Sequence, residues 1–514
     1  MGIGSLRIGW LVSVGAVAFS VAAGSLAAAA APIGEVETVA FEGPALLAAA
    51  RSLPEGGVLR IRAAPVEQDG RTELRDLELR RFRVFAPLAR IVLHTDAGEQ
   101  LLPLPANIYL RGKIVGDPRS RVVISLLASG EIRGLVTTTG HSWLLGAAAG
   151  ETLLRTRAVA GEREGPGGSF RCEVDELGAA AYRAGDDAAS AALADLLTPA
   201  AWSAPAAPAL LSGARAAFDH TVLVAIETDN EFLNLAAFGG NPATATTYIA
   251  DLVAYASSIY VDETQTSWAL GEVSLWQTAD PWVQTASACG LLDFGRYWNN
   301  NHPGITRTIA HFLSGKTVFA GTAWIGVLCS GPITIDAALI ATGCTPPLTG
   351  VSNWGGGYGY TSGILGNFDL DHPTVLWDIQ AFSHEIGHNF NSGHTHCYQN
   401  VGGNAAAIDP CYAGQCGSTG CYCGGATQPA GCPGSGQGCG TIMSYCHLLS
   451  GGNANLTMTL GLGHPYGVQP ERVPTRMRDH VLSRAAANPS CLAPILPVAI
   501  FSDGFESGGT GAWN

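Results

Sequence analysis

The fold class read from the sequence is a mixed α/β domain preceded by a β-rich leader, and three observations carry it. Charge divides the chain: residues 1–215 hold 21 Lys+Arg against 22 Asp+Glu, whereas residues 216–514 hold 7 against 20. The first part contains short runs rich in β-branched and apolar residues, with turn residues between them. The second part alternates strand-like runs with stretches of helical periodicity, the pattern of a sheet covered by helices. With 514 residues, 47% of them hydrophobic and 14% charged, the chain can bury a large core and is not of disordered composition. Its net charge of −14 argues against a sequence-independent grip on nucleic acid or on an anionic membrane.

The elements follow in chain order. Arg7, the apolar run Ile8 to Val21 and the small residues Ala22 to Ala31 read as a secretory signal peptide over residues 1–31. The alternative, a single membrane anchor, fits less well because the strongly apolar stretch is shorter than the about 20 residues that span a bilayer, and as no later segment is long and apolar enough, no membrane association is expected after signal removal. Residues 32–185 read as a β-rich leader domain, with strand signals at Arg83 to Phe85, Arg90 to Leu93 and Arg121 to Leu127, and Ser129-Gly130 placed as a hairpin turn. Residues 186–215 are rich in Ala and Pro, with Pro199, Pro205 and Pro208, and have the composition of a linker. The second domain, residues 216–492, shows strand-like runs at Thr221 to Ile226 and Thr322 to Leu328 and helical patterns at Tyr248 to Tyr260 and Val375 to Asn389. Residues 493–514 form a tail too short to fold alone.

The chemistry concentrates in His384-Glu385-Ile386-Gly387-His388. On a helix, positions i and i+4 lie one turn apart on one face, so both imidazoles can reach a single ion with Glu385 beside them. His394 can supply a third ligand if the helix stops within a turn of His388 and the chain bends back. Asn391 and Gly393 suit that bend, because both residue types tolerate the left-handed conformation of a helix C-terminus. Three neutral imidazoles around zinc leave a position for water, the arrangement of a catalytic site.

His384 to His394 resembles the extended zinc motif of the metzincin clan, H-E-x-x-H-x-x-G-x-x-H, with Asn391 in place of the usual Gly. Gly440-Thr441-Ile442-Met443-Ser444-Tyr445 resembles the clan's Met-turn, which places Met443 under the zinc ligands. Tyr248 to Tyr260 and Gly321 to Cys329 look like the long helix and substrate-side edge strand of the reprolysin (adamalysin) branch. The resemblance implies a twisted, mostly parallel sheet with an active-site helix, preceded by a β-rich prodomain. It also implies a Zn2+-dependent endopeptidase: zinc ligands His384, His388 and His394, and Glu385 as the base that moves a proton from water to the leaving amine. Reprolysins carry Pro two residues after the Met, where this chain has Tyr445. In astacins and serralysins a Tyr at this place can ligate zinc and stabilise the oxyanion, a role that Tyr445 would share; the other reading is a buried aromatic with a bonded hydroxyl.

Of the 13 cysteines, Cys172 alone precedes the linker. The other twelve can pair completely, and the eight between Cys397 and Cys446 would staple a Gly-rich region with little apolar surface. Phe170-Arg171-Cys172-Glu173-Val174-Asp175 resembles the propeptide cysteine switch, R-C-G-V-x-D, with Glu173 for Gly and one residue missing. A thiolate is a better zinc ligand than water, so Cys172 can hold the enzyme off until the linker is cut, a site guessed near Arg215. Glu227, Asp229 and Glu231 could contribute to a calcium (Ca2+) site, or simply be solvated. His396, two residues past the third ligand, either supports the metal ligands or is exposed, and His447 either lines the substrate cleft or is structural. The expectation is a secreted, monomeric zymogen of a metalloendopeptidase acting on proteins or peptides. The alternatives are an exported zinc-stabilised binding module without turnover, and a hydrolase of cell-wall peptides.

Overall fold

The computed structural model describes residues 37–68, 71–138, 141–159, 171–172, 220–336, 344–348, 351–368 and 376–493. The signal peptide expected over residues 1–31, the linker expected over residues 186–215 and all but the first residue of the tail expected over residues 493–514 lie outside them. The leader runs β1 (Glu37–Ala40), α1 (Gly43–Ser52), β2 (Val58–Gln68), β3 (Arg71–Phe82), β4 (Phe85–Thr95), β5 (Gly98–Leu102), β6 (Ile108–Ile114), β7 (Asp117–Leu126), β8 (Ile132–Thr138), β9 (His141–Ala147), β10 (Arg155–Ala158) and the short β11 (Arg171–Cys172). The second part follows with β12 (His220–Thr228), α2 (Asn230–Leu233), α3 (Pro242–Thr264), β13 (Thr266–Trp276), α4 (Ser287–Asn301), β14 (Ile309–Ser314), β15 (Ala320–Ala323), β16 (Ile333–Asp336), β17 (Val351–Gly355), β18 (Tyr358–Ser362), α5 (Leu376–Asn389) and α6 (Arg472–Ala487). This is a mixed α/β molecule with a β-rich N-terminal region.

The leader sheet has the order β1-β2-β3-β6-β7-β8-β9-β10 and is antiparallel except where β1 joins β2. Ser129-Gly130 lies in the turn between β7 and β8, whose ends close through Leu127 N–H donating to the Glu131 carbonyl at 2.8 Å. The second sheet has the order β11-β15-β18-β14-β12-β13-β4-β5. Its pairs are parallel except β15 with β18 and β4 with β5. Two leader strands, β4 and β5, therefore complete one edge of the second sheet, while β11 sits on the other.

Helix α3 starts because the Asn241 side chain accepts from the N–H groups of Ala243 and Thr244, with Pro242 in the first turn. It is apolar around most of its circumference because it is enclosed: its residues share one core with β4, β12, β13 and α5. The leader keeps a core of its own, formed by Leu46, Ile61, Leu79, Leu110, Ile124 and Trp143 among others. The run Thr322 to Leu328, expected as one strand, is strand only to Ala323. Beyond it, the N–H groups of Gly326 and Val327 donate to the carbonyls of His388 and Asn389, capping the C-terminus of α5.

Candidate active site

Helix α5 divides its residues by face. Ile379, Phe382 and Ile386 enter the main core, joined by Phe390 just past the helix, while His384, Glu385 and His388 share a buried polar side. Two tyrosines of α3 fix it in place. The Tyr248 hydroxyl donates to Oδ2 of Asp378 at 2.5 Å, and the Tyr260 hydroxyl donates to the Ser383 carbonyl at 2.7 Å. Burial pushes the Asp378 carboxyl up to about 6, against the hydrogen bonds from Tyr248 and from the N–H groups of Leu365 and Gly366.

The helix ends as the third histidine requires. Asn391 adopts φ of 73°, its N–H donates to the His388 carbonyl at 2.8 Å, and Ser392 N–H donates to Gly387 at 3.1 Å. This is the paired closure of a helix by a left-handed residue. Gly393, the other residue expected to make the bend, is not left-handed. Arg476 of α6 holds the turn by donating to the Asn391 carbonyl at 2.5 Å and to Oδ1 at 3.2 Å.

The bend returns the chain so that ligand atoms of His384, His388, His394 and Cys172 all lie within 4.8 Å of one another. Each ring is oriented through Nδ1: His384 donates to the Ile442 carbonyl at 2.7 Å, His388 to Ser392 at 2.8 Å, and His394 to Oε1 of Gln415 at 3.2 Å. With the proton on Nδ1, Nε2 carries the lone pair. Burial holds all three imidazoles well below their ordinary range, His388 at about 4, so they are neutral at pH 7. Met443 is fully buried beneath them, and a Cβ on Gly387 would stand 2.4 Å from its sulfur. Only a glycine lets the helix pass that closely.

Cys172 arrives on β11, which pairs in parallel with β15, Cys172 opposite Gly321. Its sulfur lies 3.3 Å from Nε2 of His388 and 3.6 Å from Oε2 of Glu385. The Tyr445 hydroxyl donates to the Cys172 carbonyl at 2.9 Å, and its ring centroid lies 4.4 Å from that of His394. Three imidazole nitrogens and a thiol are the donor types and number that tetrahedral zinc takes, so the residues fit that ion. Gln415, Asp378 and Gly321 were not singled out in the sequence. Gln415 falls in the Cys-rich stretch, where neither periodicity nor motif marks it.

The model of metallo-peptidase family M12, reprolysin type, matches residues 219–457. That span is a reprolysin-like metzincin domain. The chain is accordingly a zinc-dependent peptidase, and its substrates are proteins or peptides. Among solved structures it is similar to metalloproteinase-II from Bacteroides fragilis, at 10% identity and TM-score 0.33, over 72% of this chain and 92% of that one. It is also similar to a chaperone-substrate complex, at 14% identity and TM-score 0.25, over 52% and 35%. No curated protein matches the chain.

Within the metzincin domain the eight cysteines between Cys397 and Cys446 pair among themselves as Cys397–Cys421, Cys411–Cys446, Cys416–Cys423 and Cys432–Cys439. Cys289–Cys344 and Cys329–Cys491 complete the set among the described residues, and the latter ties the segment after α6 to the segment after β15. No helix among the described residues is long and apolar enough to cross a membrane. Glu227 is fully buried and accepts from the indole N–H groups of Trp276 and Trp298 at 2.8 and 2.9 Å. Asp229 and Glu231 lie 3.0 and 3.4 Å from Nζ of Lys316, and Asp229 is fully buried. His396 is buried and donates to Gln415.

Proposed function

We propose that the chain is a secreted zinc endopeptidase made as a latent precursor: signal peptide 1–31, prodomain 32–185, linker 186–215 and catalytic domain 216–492. His384, His388 and His394 hold the zinc, and Cys172 is its fourth ligand in the latent form. The observation that carries this reading is the convergence of the Cys172 sulfur and three imidazoles beside Glu385. Zinc, when bound, acidifies a water and polarises a peptide carbonyl. Glu385, fully buried at the site, accepts the proton of the attacking water and passes it to the leaving amine. The six disulfides support export to an oxidising compartment.

The leader segment explains latency in two ways. Its sulfur takes the place that water would need, and its backbone covers the exposed side of β15. Removal of β11 leaves that edge able to pair with an extended peptide, which gives backbone recognition with little side-chain selectivity. Tyr445 would then lose the Cys172 carbonyl as its acceptor and have its hydroxyl available to a developing oxyanion.

The test compares zinc content and casein hydrolysis, with and without chelator, across three proteins. Glu385→Ala is expected to keep stoichiometric zinc and lose between about 100- and 10,000-fold in turnover. Substantial residual activity refutes the general-base role. Cys172→Ser is expected to hydrolyse casein as the uncut chain, and a variant as latent as the wild type refutes the switch.

A further inference from the structure

The leader does more than deliver Cys172. Strand β4 pairs in parallel with β13 from Phe85 opposite Leu270 to His94 opposite Trp276, and β5 closes the edge beyond it. Val84, Phe85, Ile91, Leu93, Tyr109, Val123, Leu135 and Leu144 belong to the same buried core as β12, β13, α3 and α5. Removing the leader would open that core and leave β13 as an unpaired apolar edge.

The charges at this junction have one polarity. Arg90 binds Glu272 at 2.6 Å, and Lys113 and Arg121 bind Asp262 at 2.8 and 3.0 Å. Arg121 also reaches Glu263 at 3.2 Å and donates to the Met458 carbonyl at 2.8 Å, while Arg133 faces the fully buried Asp251 at 3.5 Å. Among the described residues, every ion pair across the junction puts the cation on the leader and the carboxylate on the metzincin domain. The charge imbalance of the sequence is thus partly an interface. Without its partner, Asp251 would be a carboxylate on a buried helix face with no cation beside it, a costly arrangement.

The Cys172 segment is attached differently. Between the last strand of the leader sheet and β11, the sequence Ala160-Gly161-Glu162-Arg163-Glu164-Gly165-Pro166-Gly167-Gly168 has linker composition. We infer that residues 37–158 remain bound to the metzincin domain as a permanent, non-covalently held part of the active enzyme, and that only the Cys172 segment leaves. This rests on the zymogen reading above for its second half alone.

The test places recognition sequences for a site-specific protease within residues 160–170 and within residues 186–215 of the full chain. The folded protein is cut at both, and gel filtration at about 0.15 M salt shows which fragments travel together. The fragment carrying residues 37–158 is expected in the same peak as the fragment carrying residues 220–493, with casein hydrolysis rising at least tenfold over the uncut chain. Two separate peaks overturn the inference. Equal hydrolysis before and after cutting overturns the zymogen reading and leaves the elution result to be judged by itself. In the same format, the double variant Arg121→Ala, Arg133→Ala, shown folded before cutting by its circular dichroism, is expected to release at least tenfold more of the leader fragment. Unchanged co-elution in that variant overturns the contribution of the charges.

Discussion

A Cβ on Gly321 would stand 2.2 Å from Oε1 of Glu385 and 2.5 Å from its Cδ. The base can take its position only because the strand above it has no side chain there. Gly321→Ala is therefore expected to push the carboxylate aside, since the three atoms nearest that Cβ all belong to Glu385, while leaving His384, His388 and His394 able to bind metal. Turnover should fall by about 10- to 100-fold with zinc content unchanged, read by metal analysis and casein hydrolysis on the same preparation. Nothing near Gly321 in the sequence announces this, because the contact exists only once β15 lies over α5. The three histidines were legible for the opposite reason: helical spacing and a conformational rule suffice to bring them together. Asn391 shows the rule at work, since its left-handed turn stands where the family pattern has glycine.

Elements set the precision of the site. Helix α5 was readable from its periodicity, but the two hydroxyls that anchor it come from α3 and could not be read from either helix alone. Tyr248→Phe removes one of the three donors to Asp378 and leaves the Leu365 and Gly366 N–H groups in place. The expected loss is about 1–3 kcal/mol of stability, measured by chemical denaturation of the metal-free protein. The same limit explains the strand that ended early. Trp324 to Leu328 is as apolar as the strand before it, yet after Trp324, whose N–H still donates to the Tyr358 carbonyl, the Gly326 and Val327 donors go to the carbonyls at the end of α5. Helix ends demand partners from other elements, and composition carries no record of which element answers.

Across the whole molecule, burial of titratable groups sets how stability responds to pH. His311 and His480 lie far from the three histidines in sequence, and burial lowers both from 6.5 to about 3, so the folded state refuses protons that the unfolded state accepts. Stability from these groups is full above 6.5 and is lost progressively as pH falls from there to about 3. Glu227 works in the other direction. Burial raises it from 4.5 to about 8 despite the two indole donors, so between those values the unfolded chain has released a proton that the folded one keeps. Its contribution is full at low pH and is lost as pH rises to about 8. Between 4.5 and 6.5 the buried histidines held below their ordinary range, His311, His384, His388, His394, His396 and His480, outnumber the raised carboxyls Asp251, Asp378, Asp409 and Glu227, and above 6.5 Glu227 still acts. The melting temperature should accordingly peak near pH 6.5 and decline on both sides, with the alkaline decline to pH 8 worth about 2 kcal/mol. Glu227→Gln keeps an acceptor for the indoles and has no proton to lose, so its melting temperature should be level between pH 6.5 and 8. A wild-type protein equally stable at both values, or a variant that declines as the wild type does, would show that Glu227 is ionised in the folded state.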